Sequence, residues 1–316
     1  MKVRGARLLP WLITAACFAY LYTRLERAAA GRGQSLLPYL AAIFEHVAWS
    51  RWLMLMIPYC ALFLLIDSLV VWRVINWFNA PLSYRDVLPI RASAYILSIV
   101  NEQLSKGAIA VYLSRRHKIP PWEVGSSMLF IMVCEYYYLL GWATLGVLLQ
   151  WHRLPRVFHA IPWLALVSAL VFVLIYLFFR GAIGRTGRIA RFPVRNRPIF
   201  EAFRRATLRH YAGVLALRSP AMLGAVVVYT LALRLFGVTV GVVEMLGYLP
   251  VIFFGAAMPG PMHSVAIVLW VALFPERPGE MTTFGFVQHN FFVLFNAAVG
   301  LLFLRRATRE LFPADA

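Results

Sequence analysis

The sequence predicts an all-α protein: a polytopic membrane helix bundle of about eight membrane segments, two of them re-entrant or broken hairpins. Three observations carry this. The 316 residues are 61% hydrophobic and 14% charged, with mean hydropathy +0.72; a soluble domain sits near about 45–50% apolar and about 25% charged. Six stretches approach or reach the ~20 apolar residues that cross a hydrocarbon core. Two more, 86–114 and 243–275, are as long but are interrupted by polar residues or by proline and glycine.

The first span is 8–22, behind a basic start, MKVRGAR. RAAA at 27–30 has the small residues of a signal-peptide cleavage site. Arg24, Glu26 and Arg27 lie between the apolar run and that site, so a retained span is expected. An amphipathic stretch at 36–49 leads to the span 52–72. The segment 88–113, LPIRASAYILSIVNEQLSKGAIAVYL, follows. It is apolar enough to enter a membrane, yet holds Arg91, Asn101, Glu102, Gln103 and Lys106, so 86–114 reads as a hairpin in a protein-lined or wet setting. Spans 122–150 and 161–179 come next. The longest hydrophilic stretch, 180–218, holds ten arginines and one glutamate, Glu201. Within it Ile199, Phe203, Ala206 and Leu208 recur near helical period, which predicts an amphipathic interfacial helix over 198–217. The chain then reads as a span at 219–241, a broken hairpin at 243–275 whose tip is AMPGPMHS, and a last span at 281–304.

The net charge is +18. In a soluble protein this would point to nucleic acid. Here the basic residues lie between spans, so the expected partners are membrane lipid and, at the Arg-rich loop, anionic phospholipid head groups; no nucleic-acid partner is expected. An N-terminus inside, with 86–114 re-entrant, places 21 basic residues inside and 7 outside; an N-terminus outside, with a single crossing at 88–113, gives 20 and 8. The short basic N-terminus and Asn101-Glu102-Gln103 favour the first. The whole chain then reads as one integral membrane domain with two halves, about 8–150 and 161–304. Each half has a span, an amphipathic stretch, a span, a hairpin and a long span. Within the hairpins SKGAIAVYL (105–113) matches HSVAIVLWV (263–271) at an offset of 158 residues. Three crossings per half make the second copy inverted, an arrangement found in transporters.

Polar groups at membrane depth are the candidate substrate-binding residues. Arg91, Glu102 and Lys106 share one helical stripe; the Glu102–Lys106 pair either neutralises itself within a buried hairpin or leaves Lys106 or Arg91 to meet a head-group phosphate. Glu135 lies mid-span, with Tyr138 one turn on and Trp142 two turns on. Arg234, in the second half, is a candidate counter-charge. Asp67, near the expected end of its span, is expected to snorkel. Thr282, His289 and Asn296 recur every seven residues and form a polar stripe on the last span. His263 sits at the tip of the second hairpin. No catalytic motif, Cys/His cluster or P-loop occurs, so no catalytic residue, metal or cofactor is assigned.

The segment NEQLSKGAIAVYLSRRHKIPPWEVGSSMLFIMVCEYYYLLGW (101–142) resembles the first signature region of the lysylphosphatidylglycerol synthase transmembrane, flippase-like family. The Arg-rich linker and GYLPVIFFGAAMPGPMHSVAIVL, at the place of that family's Pro/Gly-rich second signature, agree. Glu135 matches the family's span glutamate. Tyr136 and Leu139 replace charged residues usual near it, and His263-Ser264 stand where an acidic residue is expected. The resemblance implies lipid movement between leaflets of a cell inner membrane, or a transmembrane partner for a lipid-modifying enzyme. Three readings follow: a protein that binds and translocates an anionic or isoprenoid-type lipid, a membrane-embedded transferase with Glu135 or His289 as general base, and a non-catalytic assembly subunit.

Overall fold

The computed structural model describes residues 2–99, 102–181, 193–257 and 264–311, with backbone alone at 2–11, 13, 102, 103, 193, 194 and 308–311. Among them no strand occurs. Twelve α-helices follow in order: α1 (Lys2–Ala30), α2 (Leu36–His46), α3 (Trp49–Phe78), α4 (Tyr84–Ser98), α5 (Glu102–His117), α6 (Pro121–Leu149), α7 (Ala160–Arg180), α8 (Glu201–Arg205), α9 (Leu208–Arg234), α10 (Val242–Ala256), α11 (Ser264–Leu273) and α12 (Pro278–Leu311). Five helical stretches are long and apolar enough to cross a membrane: Trp49–Phe78, Pro121–Leu149, Arg156–Arg180, Leu208–Arg234 and Pro278–Ala307. At 1.5 Å per residue α3 is about 45 Å long, enough to cross with tilt. The chain is a membrane protein. Among those five, α7 is the peripheral one: 6% of its apolar window is buried, against 44% for α3 and α9.

Both interrupted regions are helix pairs. α4 and α5 pack on each other, as do α10 and α11. α4 ends at Ser98 and α5 begins at Glu102; α10 ends at Ala256 and α11 begins at Ser264. Two boundaries differ from expectation. The second amphipathic stretch is not one interfacial helix. Only α8 and short 3-10 turns precede residue 206, and α9 already starts at Leu208. Phe203 and Ala206 are buried in an aromatic core with Phe78, Phe130 and Phe179, while Arg205 donates to the Phe78 carbonyl at the end of α3. Tertiary packing claims the apolar face that was assigned to the membrane surface. Leu208 is exposed. Pro220, read as the start of a span, lies inside α9.

The helices cluster into two compact units. Unit 1 comprises Met1–Tyr59, Leu139–Pro162 and Met222–Phe292; unit 2 comprises Cys60–Tyr138, Trp163–Ala221 and Val293–Ala316. The chain passes along α3 from unit 1 to unit 2 and along α6 back; it passes along α9 from unit 2 to unit 1 and along α12 back. Unit 2 holds the α4–α5 hairpin and nearly all of α7, and unit 1 holds the α10–α11 hairpin and α1. Exchanging α1–α6 with α7–α12 converts one inventory into the other. The two sets of six helices thus traverse the units in opposite order. Ile109 and Leu113 on α5 are buried, as are Ile267 and Val271, 158 residues on.

Inside unit 1, Trp270 stacks parallel to Tyr229 at 6.3 Å and edge-on to Phe284 at 5.0 Å. Gly146 of α6 faces the backbone of Gly247 of α10 so closely that a Cβ would collide with it. In unit 2, Gly300 of α12 meets the Ala92 carbonyl of α4 in the same way. Helix association in lipid depends on such close approach, because apolar surfaces gain little there by leaving lipid.

Candidate functional site

Unit 2 encloses a ring of ionic side chains drawn from five helices. Asp67 of α3 is its hub. One carboxylate oxygen, Oδ2, accepts from Arg91 Nε of α4 and from the Tyr95 hydroxyl at 2.9 Å. The other, Oδ1, accepts from Arg218 Nη2 of α9 at 3.0 Å. Arg218 Nη1 donates to Glu135 Oε1 of α6 at 3.1 Å, and Lys106 Nζ of α5 donates to Glu135 Oε2 at 2.7 Å. The ring closes through Ser105, beside Lys106, whose hydroxyl accepts from Arg91 Nη1 at 2.9 Å.

Local structure explains how each group reaches the centre. Glu135 lies midway along the unbroken α6. The Arg91 guanidinium lies 3.9 Å from the Tyr95 ring centroid, one turn along α4, which fixes its plane. Tyr138, one turn past Glu135, donates to the Arg218 carbonyl at 3.0 Å and ties α6 to α9 beside the ion pair. Gly300 brings α12 onto α4 next to Arg91, where Val299 and Phe303 cover Leu64, Ala92 and Tyr95.

Burial grades around the ring. Side-chain exposure is 4% for Arg91, 5% for Asp67, 7% for Arg218, 9% for Lys106 and 22% for Glu135. Each buried ion loses several kcal/mol of hydration, so only dense mutual pairing keeps it charged. The Asp67 side of the ring is sealed. The Lys106–Glu135 side is the less buried edge, Glu135 being the most exposed of the five. Farther along unit 2, Asp86 at the head of α4, outside the long spans, accepts from the Ser83 hydroxyl at 2.6 Å and faces Arg116 at 3.4 Å and Arg306 at 3.7 Å. The Ser83 hydrogen bond first, and then the two arginines, hold its carboxyl below the usual carboxylate range.

No family model, curated protein or solved structure matches this chain. The site is therefore read from its own geometry.

Of the residues singled out by sequence, the structure brings Arg91, Lys106 and Glu135 together. Glu102 opens α5, one turn before Lys106, and its side chain is outside the described residues, as is the whole of His263. Arg234 does not supply the counter-charge assigned to it: it is exposed at the last turn of α9, and Arg218, four turns earlier on that helix, holds Glu135 instead. The polar stripe of α12 does face inward. His289 is buried in unit 1 and Asn296 in unit 2. Asp67 does not snorkel. α3 continues to Phe78, so Asp67 is eleven residues from the helix end and buried.

Proposed function

We propose that this chain is a lipid-handling protein of a cell inner membrane, which takes the anionic head group of a phospholipid or isoprenoid-type lipid at the Lys106–Glu135 edge of the ring and moves it between leaflets. The observation that carries the reading is the graded burial of that ring within apolar helices. Ionic groups at membrane depth are costly and are kept for substrate or ion paths. A head-group phosphate offers Lys106 and Arg218 the same charge-assisted acceptors that Glu135 offers, so it can displace that carboxylate at the open edge while Asp67 holds Arg91 and Arg218 in place. The likeness of residues 101–142 to the flippase-like family, and the order in which the two copies traverse the units, support the same reading. A general-base role for Glu135 fits less well, because both its oxygens accept from cations, Arg218 and Lys106.

The test is scrambling of a fluorescent phosphatidylglycerol in proteoliposomes, read by quenching of the outer leaflet. Lys106→Met and Glu135→Gln are each expected to slow it about tenfold, the loss of one charge-assisted hydrogen bond. Lys106→Arg, which keeps a cation beside Glu135 and for the phosphate, should retain most of the transport that Lys106→Met loses. Transport at the parent rate by both single variants refutes the reading.

A further inference from the structure

A second, separate cluster lies in unit 1, where the end of α1, the following loop, α2 and the start of α12 converge. Its centre is Glu280, whose side chain is 9% exposed. Arg32 and Arg277 both approach the same oxygen, Oε1, at 3.4 and 3.5 Å, and each is about half exposed, 50% and 52%. The other oxygen, Oε2, is buried and meets no donor. Tyr39 of α2 is 1% exposed, and its hydroxyl rests against Gly279, the residue before Glu280. The hydroxyl hydrogen has no acceptor. Arg32 lies over the Tyr39 ring at 4.9 Å. Arg24 donates to the Pro275 carbonyl at 3.0 Å and so pins the loop that carries Arg277.

This is a poor design for an internal ion pair. A stabilising pair would use both carboxylate oxygens in a fork. Here two arginines crowd one oxygen at long distance, and about half of each side chain is exposed. A buried acceptor and a buried donor, on neighbouring groups, are both left over, and such orphans in a native protein call for a missing partner. One chemical group satisfies all four residues. A phosphate takes the free donors of Arg32 and Arg277, and an adjoining hydroxyl accepts from Tyr39 while donating to Glu280 Oε2. Burial and the Glu280 charge keep the Tyr39 hydroxyl protonated and able to donate.

We infer that unit 1 carries a binding site for a phosphorylated polyol, the chemistry of a glycerophosphate head group, formed by Arg32, Arg277, Glu280 and Tyr39. α2 beside it presents Leu37 and Phe44 outward, at 78% and 47% exposure, a lipid-facing surface for the acyl part of such a ligand. The site stands independently of the reading of unit 2.

The experiment is a titration of the purified full chain with phosphatidylglycerol and with phosphatidic acid, counted by native mass spectrometry. The first lipid has the polyol; the second has only the phosphate. The parent protein is expected to hold phosphatidylglycerol at two places, and the variant Arg32→Gln with Arg277→Gln at one, with affinity at the lost site down about tenfold per arginine. Tyr39→Phe should weaken phosphatidylglycerol about threefold to tenfold and leave phosphatidic acid unchanged, which separates polyol recognition from charge. Competition by soluble glycerol phosphate tells a water-borne ligand from a lipid one. Removing both arginines leaves the 9% exposed Glu280 without a cation, so the double variant is expected to melt lower, and Arg277→Gln alone, which keeps Arg32 on Glu280, repeats the test in a stable background. Undiminished phosphatidylglycerol in the arginine variants overturns the site. An unchanged preference in Tyr39→Phe also does so, since a trapped water alone would then fill the gap. Loss of one lipid in Lys106→Met, with the other kept, assigns the lost place to unit 2 and the kept one to unit 1; two lipids retained in that variant count against the unit 2 reading and leave unit 1 standing.

Discussion

Replacing Arg218 by methionine removes the side chain that, among the described residues, joins Asp67 to Glu135. Arg218 makes two charge-assisted hydrogen bonds, at 3.0 Å to Asp67 and 3.1 Å to Glu135, and its side chain is 7% exposed. Breaking a buried ion pair by removing one partner costs about 3–5 kcal/mol when a charge is left stranded. Neither carboxylate is stranded here, since Asp67 keeps Arg91 and Tyr95 and Glu135 keeps Lys106. The expected loss is therefore at the lower end, about 3 kcal/mol. Lys106→Met removes one bond from the more open Glu135, so about 1 kcal/mol is expected after discounting for solvent. Arg153→Gln, from a pair with Glu244 in which the arginine is 64% exposed, should cost no more than about 0.5 kcal/mol. Cys60 and Cys134 are both buried, so a thiol-reactive dye in detergent reports unfolding of each variant against added denaturant. The predicted order is Arg218, then Lys106, then Arg153. Combining Arg218→Met with Glu135→Gln should be less than additive by at least about 1 kcal/mol, because the two share a bond. A cost for Arg218→Met within about 0.5 kcal/mol of the Arg153 control, or strict additivity with Glu135→Gln, refutes a stabilising ring.

Three further outcomes follow from other parts of the fold. Gly300→Val drives a side chain into the Ala92 carbonyl of α4; it should cost about 1–3 kcal/mol in the same dye assay, while the exposed Leu302→Val on that helix stays near neutral. Lys118 takes a left-handed φ of 53° where α5 stops before Ile119 and Pro120, so Lys118→Gly should stabilise by about 1 kcal/mol, and a loss would show that the lysine side chain matters more than its backbone. Asp86 is held below the ordinary carboxylate range. Its contribution to stability is therefore full above the unfolded value of about 4 and is lost as pH falls through the lower folded value; the gap in melting temperature between parent and Asp86→Asn should close in acid, and a gap constant down to pH 3 contradicts this.

The long helices and both hairpins were legible because each is written locally. Apolar length marks α3, α6, α7, α9 and α12, and the sequence between α4 and α5 includes Asn101, that between α10 and α11 the run PGP. The ring was legible only in part. Arg91, Lys106 and Glu135 stand out as charges inside apolar runs. Arg218 does not, because it closes a stretch with nine other arginines and precedes Ser219-Pro220, a pair that reads as the start of a helix. In the structure that proline is interior and the arginine belongs to the span. Asp67 was misplaced for the converse reason: the apolar run fades at Arg73, but the helix does not. Pairings over 151 residues, such as Asp67 with Arg218, leave no periodic trace in one sequence.

The ring also has an order of birth. Asp67 and Arg91 are 24 residues apart, and Lys106 and Glu135 are 29 apart. As the chain leaves the ribosome, the first half alone brings two matched pairs into the membrane, each able to insert with its own counter-ion. Arg218 is made 83 residues after Glu135 and arrives as a lone cation whose partners are already in place. Nascent chains stopped before α9 should be held stably in the bilayer, whereas α9 inserted without the first half carries an unanswered charge. Insertion of α9 is thus expected to depend on the first half being in place.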